Sequence, residues 1–229
     1  MRDMLIKSEK DWFFSKVEIA DSLFVKYGYY GESDAEILLC CAISALASKM
    51  WPGKNIDNGR FTEFLIKFAL PVTNVQRISI PVLAAKLKKK NLLAEVNLLL
   101  NHYIQNDFGQ VITCDEIDQS EDVILSLCPN IESKIIRSAS HVEIIYEDLR
   151  CGLIHNGHVS KFMFHDFSSE MKIPYYANLQ DESHLEHLLC FPYNYIREIL
   201  VDAAENAFTY RATINSWDIP QPSKWWIDG

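Results

Sequence analysis

Arg150 and His155 are the two residues of this chain whose types and spacing could do chemistry together. They stand five positions apart in the run Tyr146-Glu147-Asp148-Leu149-Arg150-Cys151-Gly152-Leu153-Ile154-His155-Asn156-Gly157. A histidine gives or takes a proton near neutral pH. An arginine keeps its charge and grips a phosphate through two parallel donors. RNA brings its own nucleophile, the 2′-hydroxyl, so these two groups approach a minimal set for phosphodiester cleavage, and no metal or other cofactor is expected. Tyr146, Asn156 and His158 flank the pair and are expected to line its substrate cleft, although each also suits a structural place. The competing reading is plain: Arg150 pairs with Glu147 or Asp148, and His155 meets the carbonyls of a helix end, where a cation is favoured.

The element that must position the pair is a helix. Ile135, Ile136, Ala139, Val142, Ile145, Leu149 and Leu153 form one apolar stripe, which predicts a single long helix from Glu132 to His155. Asn156-Gly157 supplies its stop. On a regular helix five positions rotate by about 140°, so Arg150 and His155 would not share a face. They can cooperate only if the helix distorts or ends near Gly152 to Gly157, or if a second subunit completes the site.

Arg150, the four residues Cys151 to Ile154, and His155 resemble the signature of the HEPN superfamily, an arginine followed by four to six residues and a histidine. The residue after the arginine is often polar in active members; here it is Cys151. The resemblance implies an all-helical bundle and a metal-independent endoribonuclease of the kind found in toxin–antitoxin, phage-defence and CRISPR systems. It implies a homodimer in which two motifs share one cleft. His155 would be the acid–base group and Arg150 the phosphate-binding group. RNA, a second copy of the chain, and an antitoxin or other protein are the partners it suggests. Some members of the superfamily have no nuclease activity, so a non-catalytic module that binds a protein or a nucleotide is the alternative.

Other constellations are weaker. His184, His187 and Cys190 have a spacing that could hold a metal on a helix, but no fourth ligand is near, and the intervening leucines suit an ordinary amphipathic helix from about Glu182. Lys86, Lys88, Lys89 and Lys90 form the one basic run, which reads as a solvated helix end or a guide for a phosphate backbone. The tryptophans of the 216–229 tail could stack bases but fit core anchors better.

The whole chain sets the frame. Its 229 residues carry 22 Lys and Arg against 31 Asp and Glu, a net charge of −9. The bulk field therefore repels nucleic acid, and an RNA role needs a local basic patch. Apolar residues make up 48% of the chain, ordinary for a folded protein. No signal peptide or apolar run of membrane-spanning length is read, and the six scattered cysteines suggest reduced thiols in a cytoplasmic protein. Helices are expected over Glu9 to Tyr27, Ala35 to Met50 after a cap at Ser33 or Asp34, Arg60 to Ala69, Pro81 to about Asn91, Leu92 to Phe108, Glu121 to Leu127, and Tyr193 to Thr213. Val159 to Phe167 and Ile173 to Leu179 are expected as a β-hairpin over 159–179. The expected architecture is one mostly α, HEPN-like helical domain over 1–229, with this small β insertion and an extended tail from 216 to 229.

Overall fold

A computed structural model of the chain describes residues 2–69, 75–103, 111–165, 171–181, 184–213, 220–223 and 225. The chain is mostly helical with one small antiparallel sheet. In order, the first elements are α1 (Arg2–Tyr27), α2 (Tyr29–Met50), α3 (Asp57–Phe68), α4 (Ile80–Lys89), α5 (Leu93–Tyr103), β1 (Ile112–Thr113), α6 (Cys114–Ile117), α7 (Glu121–Leu127) and α8 (Ser133–Arg137). Then come α9 (His141–Ile144), a π-helical segment (Ile145–Cys151), α10 (Gly152–Asn156), β2 (Tyr175–Asp181), β3 (His184–Cys190) and α11 (Tyr193–Thr213). The chain forms two compact units, Met1–Asn74 with Tyr193–Gly229, and Val75–Pro192.

The first unit is a helical bundle. Gly28 adopts a left-handed φ of 52° between α1 and α2, a conformation glycine takes without steric cost. A Cβ on Gly31 would sit 2.2 Å from the Leu23 carbonyl oxygen, so a glycine is needed for the close approach. Because Gly28 is the hinge, α2 begins at Tyr29 and needs no cap at Ser33 or Asp34. The core holds Phe13, Val17, Ala20, Leu39, Ile43, Phe64, Leu65, Ile199 and Ala203. Arg197 of α11 donates to both oxygens of Asp21 on α1, at 2.6 and 2.8 Å, and the Tyr193 hydroxyl donates to the same carboxylate at 3.0 Å. The tail is held by polar contacts as well as by packing. Ser223 donates its N–H and O–H to the fully buried Glu63, Trp51 Nε1–H donates to the Pro220 carbonyl, and Trp225 is buried. Trp217 and Trp226 lie outside the described residues.

The second unit carries the sheet, in the order β1-β2-β3. Strand β2 pairs antiparallel with β3 from Tyr175↔Cys190 to Asp181↔His184, and β1 pairs with β2 through Ile112↔Tyr176. The hairpin expected over 159–179 is therefore displaced to 175–190. Residues 159–165 form a turn instead: Met163 donates to the Ser160 carbonyl, and Phe162 to the Ser160 hydroxyl. The segment meets the sheet where Phe164 donates to Leu189 and Leu189 to Phe162, and where the Phe164 ring packs edge-on against Tyr175 of β2. Residues 166–170 lie outside the described residues. The helical leucine spacing of 184–190 is overridden by pairing with β2, which buries Leu189 and Cys190 with Tyr175 and Tyr176. Such tertiary override is common for short apolar runs.

The expected long helix is also corrected. It breaks after Arg137 and restarts at His141. Three backbone bonds from the 75–79 segment take the place of the helical ladder: Ser79 N–H donates to Ala139, His141 N–H to Arg77, and Val142 N–H to Val75, each at 2.8 to 2.9 Å. Ser140 then caps the new helix by accepting from the Glu143 amide.

Candidate active site

Residues 141–156 form one continuous helix whose middle is π-helical. In a π turn the ladder closes on the fifth residue rather than the fourth. The π segment ends at Cys151, one residue after Arg150, so the step on to His155 runs almost wholly through α10 and the two side chains remain well apart around the helix axis. The distortion expected near Gly152 to Gly157 is thus present one turn earlier, over Ile145–Cys151. Gly157 ends the helix with a left-handed φ of 74°, the stop that Asn156-Gly157 predicts.

Arg150 is half-buried. Its guanidinium carbon lies 5.1 Å from the centre of the Tyr146 ring, and Nη1 donates to the Cys151 sulfur at 3.4 Å. Tyr146 itself is buried, so it is a floor beneath Arg150 rather than a wall of an open cleft. His155, Asn156 and His158 are exposed. The His158 ring donates from Nδ1 to the Val159 carbonyl at 2.8 Å. The chain after the motif folds back across it. A Cβ on Gly152 would sit 2.9 Å from the His158 carbonyl oxygen and 3.4 Å from the Ser160 nitrogen. Ser160 N–H donates to the Asp148 carbonyl at 3.0 Å.

The basic run of α4 lies on the same side. Lys86 is half-buried and donates to the Ser138 carbonyl. Burial lowers its pKa, while the charges of Asp148, Glu143 and Glu147 pull it back up. Burial raises the Asp148 carboxyl, opposed by its bond with Ser160 and by Lys86 and Lys89. Lys88, Lys89 and Lys90 are exposed. The arrangement gives two exposed imidazoles, His155 and His158, and a guanidinium set on the Tyr146 ring, with Lys86 and Lys89 of α4 near Asp148 of the same helix.

A second cluster escaped sequence reading because its members are far apart in the chain. Cys114, Asp118 and His141 are all buried, and their ligand atoms lie within 4.8 Å of one another. By type they could hold a cation such as zinc. Their spacing is instead that of hydrogen bonding. His141 Nε2 donates to Asp118 Oδ2 at 2.7 Å, the Tyr176 hydroxyl lies 2.8 Å from both Asp118 oxygens and from Ser79 Oγ, and the Ile80 amide donates to Oδ1 at 3.2 Å. The carboxylate is thus already surrounded by donors. Nδ1 of His141 is buried with no hydrogen-bond partner, whereas a ligating histidine normally has its second nitrogen fixed by an acceptor. Burial, with Asp118 beside it, pushes the Cys114 thiol well up, which disfavours a thiolate. We read the cluster as a polar anchor that joins the start of the motif helix to α4, α6 and β2.

The third constellation, His184, His187 and Cys190, falls on β3 rather than on a helix, so the three-residue spacing no longer aligns the side chains. Burial lowers the pKa of His187. No helix among the described residues is long and apolar enough to cross a membrane. No family model matches the chain, and no curated protein or solved structure shows significant similarity to it.

Proposed function

We propose that this chain is a metal-independent endoribonuclease of HEPN type, working as a cytoplasmic homodimer in a setting such as toxin–antitoxin pairing or phage defence. What supports the reading is that the motif helix is π-helical over Ile145–Cys151, the segment that carries Arg150, and that His155 is exposed on its last turn. Such turns recur at functional sites. The lysines of α4 beside the motif add the local positive charge that a chain of net charge −9 needs in order to approach RNA.

The chemistry follows from the groups. The 2′-hydroxyl oxygen attacks the adjacent phosphorus as its proton passes to an imidazole, and the bond from phosphorus to the 5′-oxygen breaks. The leaving oxygen takes a proton from a second imidazole, His155 of the other protomer. Arg150 holds the phosphoryl oxygens on which charge gathers. The products are a 2′,3′-cyclic phosphate and a free 5′-hydroxyl. Asn156 and His158, both exposed, would contact the flanking nucleotides.

A non-catalytic binding module is the second reading. It is favoured by the packing of the Arg150 guanidinium on Tyr146 and against Cys151, which serves the fold whether or not a phosphate is bound. Mixed RNA incubated with purified protein in a chelator separates the two. Cleavage should persist in chelator and fall by about 10²- to 10⁴-fold in His155→Ala, with Arg150→Lys intermediate because it keeps the charge but loses the fork. Equal cleavage by wild type and His155→Ala, or none by either, leaves only the binding module.

A further inference from the structure

The lysines near the motif are not simply a solvated helix end. Lys89, at the end of α4, and Lys161, in the turn after the motif, come from segments far apart in sequence. Both place their ammonium groups on one ring, that of Phe162, at 5.2 and 5.3 Å from its centre. Both lysines are exposed, and Phe162 is partly so. A cation at a helix C-terminus is explained by the helix dipole, which accounts for Lys89 on α4 but not for Lys161.

The backbone that carries the ring is tied on both sides. The Leu189 amide of β3 donates to the Phe162 carbonyl at 2.9 Å, and the Phe164 amide donates back to the Leu189 carbonyl at 3.1 Å. The Phe162 amide donates to the Ser160 hydroxyl, and the Ser160 amide to the carbonyl of Asp148, two residues before Arg150. The bare Cα of Gly152 is what lets this turn cross the motif helix so closely. An aromatic ring with two ammonium groups over it is thus tied by hydrogen bonds to the turn that carries Arg150.

We propose that Lys89, Phe162 and Lys161 form a subsite for single-stranded RNA, in which an unpaired base takes the place of an ammonium group on the Phe162 ring and the two lysines swing off it to hold the neighbouring phosphates. The inference rests on the ribonuclease reading and deepens it by naming an unpaired strand as substrate. Aromatic faces stack on any base, while duplex RNA hides its bases from such a platform.

The test is a binding titration of a fluorescent single-stranded RNA on full-length His155→Ala protein, which separates binding from cleavage. Phe162→Leu, which keeps an apolar side chain, should weaken binding about 5- to 150-fold, the loss of one stacked base. Lys89→Ala and Lys161→Ala should each lower the slope of log affinity against log salt by about 0.7. Duplex RNA of the same length and a poly-glutamate peptide should compete poorly. Unchanged affinity and salt slope in the lysine variants would overturn the subsite, and so would competition by poly-glutamate as effective as by RNA. Thermal melting of each variant guards against misfolding; if Phe162→Leu melts early, Phe162→Tyr, which keeps the stacking face, must bind as wild type does. If these effects hold while wild type fails to cleave, the subsite stands and the nuclease reading falls. If wild type cleaves but the variants bind normally, the reverse is true.

Discussion

Arg150 is fixed from below by the Tyr146 ring and from the side by the Cys151 sulfur. That pre-orders a guanidinium whose free rotation would otherwise have to be lost on binding. His155 has the opposite setting, exposed on the last turn of its helix, where a cation is favoured. The residue that links them to the following turn is Gly152. An alanine there gains up to about 1 kcal/mol of helix propensity, yet its Cβ would meet the His158 carbonyl at 2.9 Å. Overpacking of backbone against backbone costs about 1–3 kcal/mol. Gly152→Ala is therefore expected to lower stability by up to roughly 2 kcal/mol in urea unfolding and to reduce RNA binding by displacing the 158–162 turn. A variant more stable than wild type would show that the turn moves aside freely.

Among elements, the motif helix is anchored at its start by Asp118, which accepts from His141, Tyr176 and the Ile80 amide. Asp118→Ala leaves several buried donors unsatisfied, at about 1–3 kcal/mol each, and is expected to cost 3–5 kcal/mol in all. A urea midpoint within error of wild type would deny the anchor its role. In the other unit, Arg197 and Tyr193 hydrogen-bond Asp21, and the Arg197 bonds outweigh burial to hold its pKa below the ordinary 3.8. The folded chain thus binds this proton less tightly than the unfolded one. The stability from the pair is complete above about pH 4 and is lost as pH falls through the depressed value. Asp21→Asn should flatten the melting temperature against pH in that acid window and leave its shape near pH 7 unchanged. Much of this framework is legible in the sequence, and the reasons are local. Pro81 announces α4, and the apolar spacing of Glu121 to Leu127 and of Tyr193 to Thr213 announces α7 and α11. What is not legible is set by distant partners. The break at 138–140 comes from bonds to the 75–79 segment, and His184–Cys190 becomes a strand because β2 lies beside it. Arg150 and His155 are visible as a pair by type and spacing, but the π turn that carries Arg150 leaves no mark in the sequence. The Asp118 anchor is assembled from residues up to 97 positions apart and has no local signature at all.

At the scale of the whole molecule, a net charge of −9 makes RNA capture a local event. Added salt screens the repulsive bulk and the attractive patch alike, over a Debye length of about 8 Å at physiological strength. The patch beside the motif should nonetheless dominate at contact, so RNA affinity is expected to fall with salt despite the acidic chain. The proposed shared cleft also makes activity depend on association, and specific activity per chain should drop on dilution below the dimer dissociation constant. The chemistry itself is tested most directly by the ends that cleavage leaves. Mass spectrometry of an RNA oligonucleotide digested in chelator should find 2′,3′-cyclic phosphate and 5′-hydroxyl termini. An oligonucleotide with a single 2′-deoxy sugar at the cleaved position should stay intact there. Products ending in 5′-phosphate, or cleavage at the deoxy position, would contradict a mechanism in which the 2′-hydroxyl attacks under the control of His155 and Arg150.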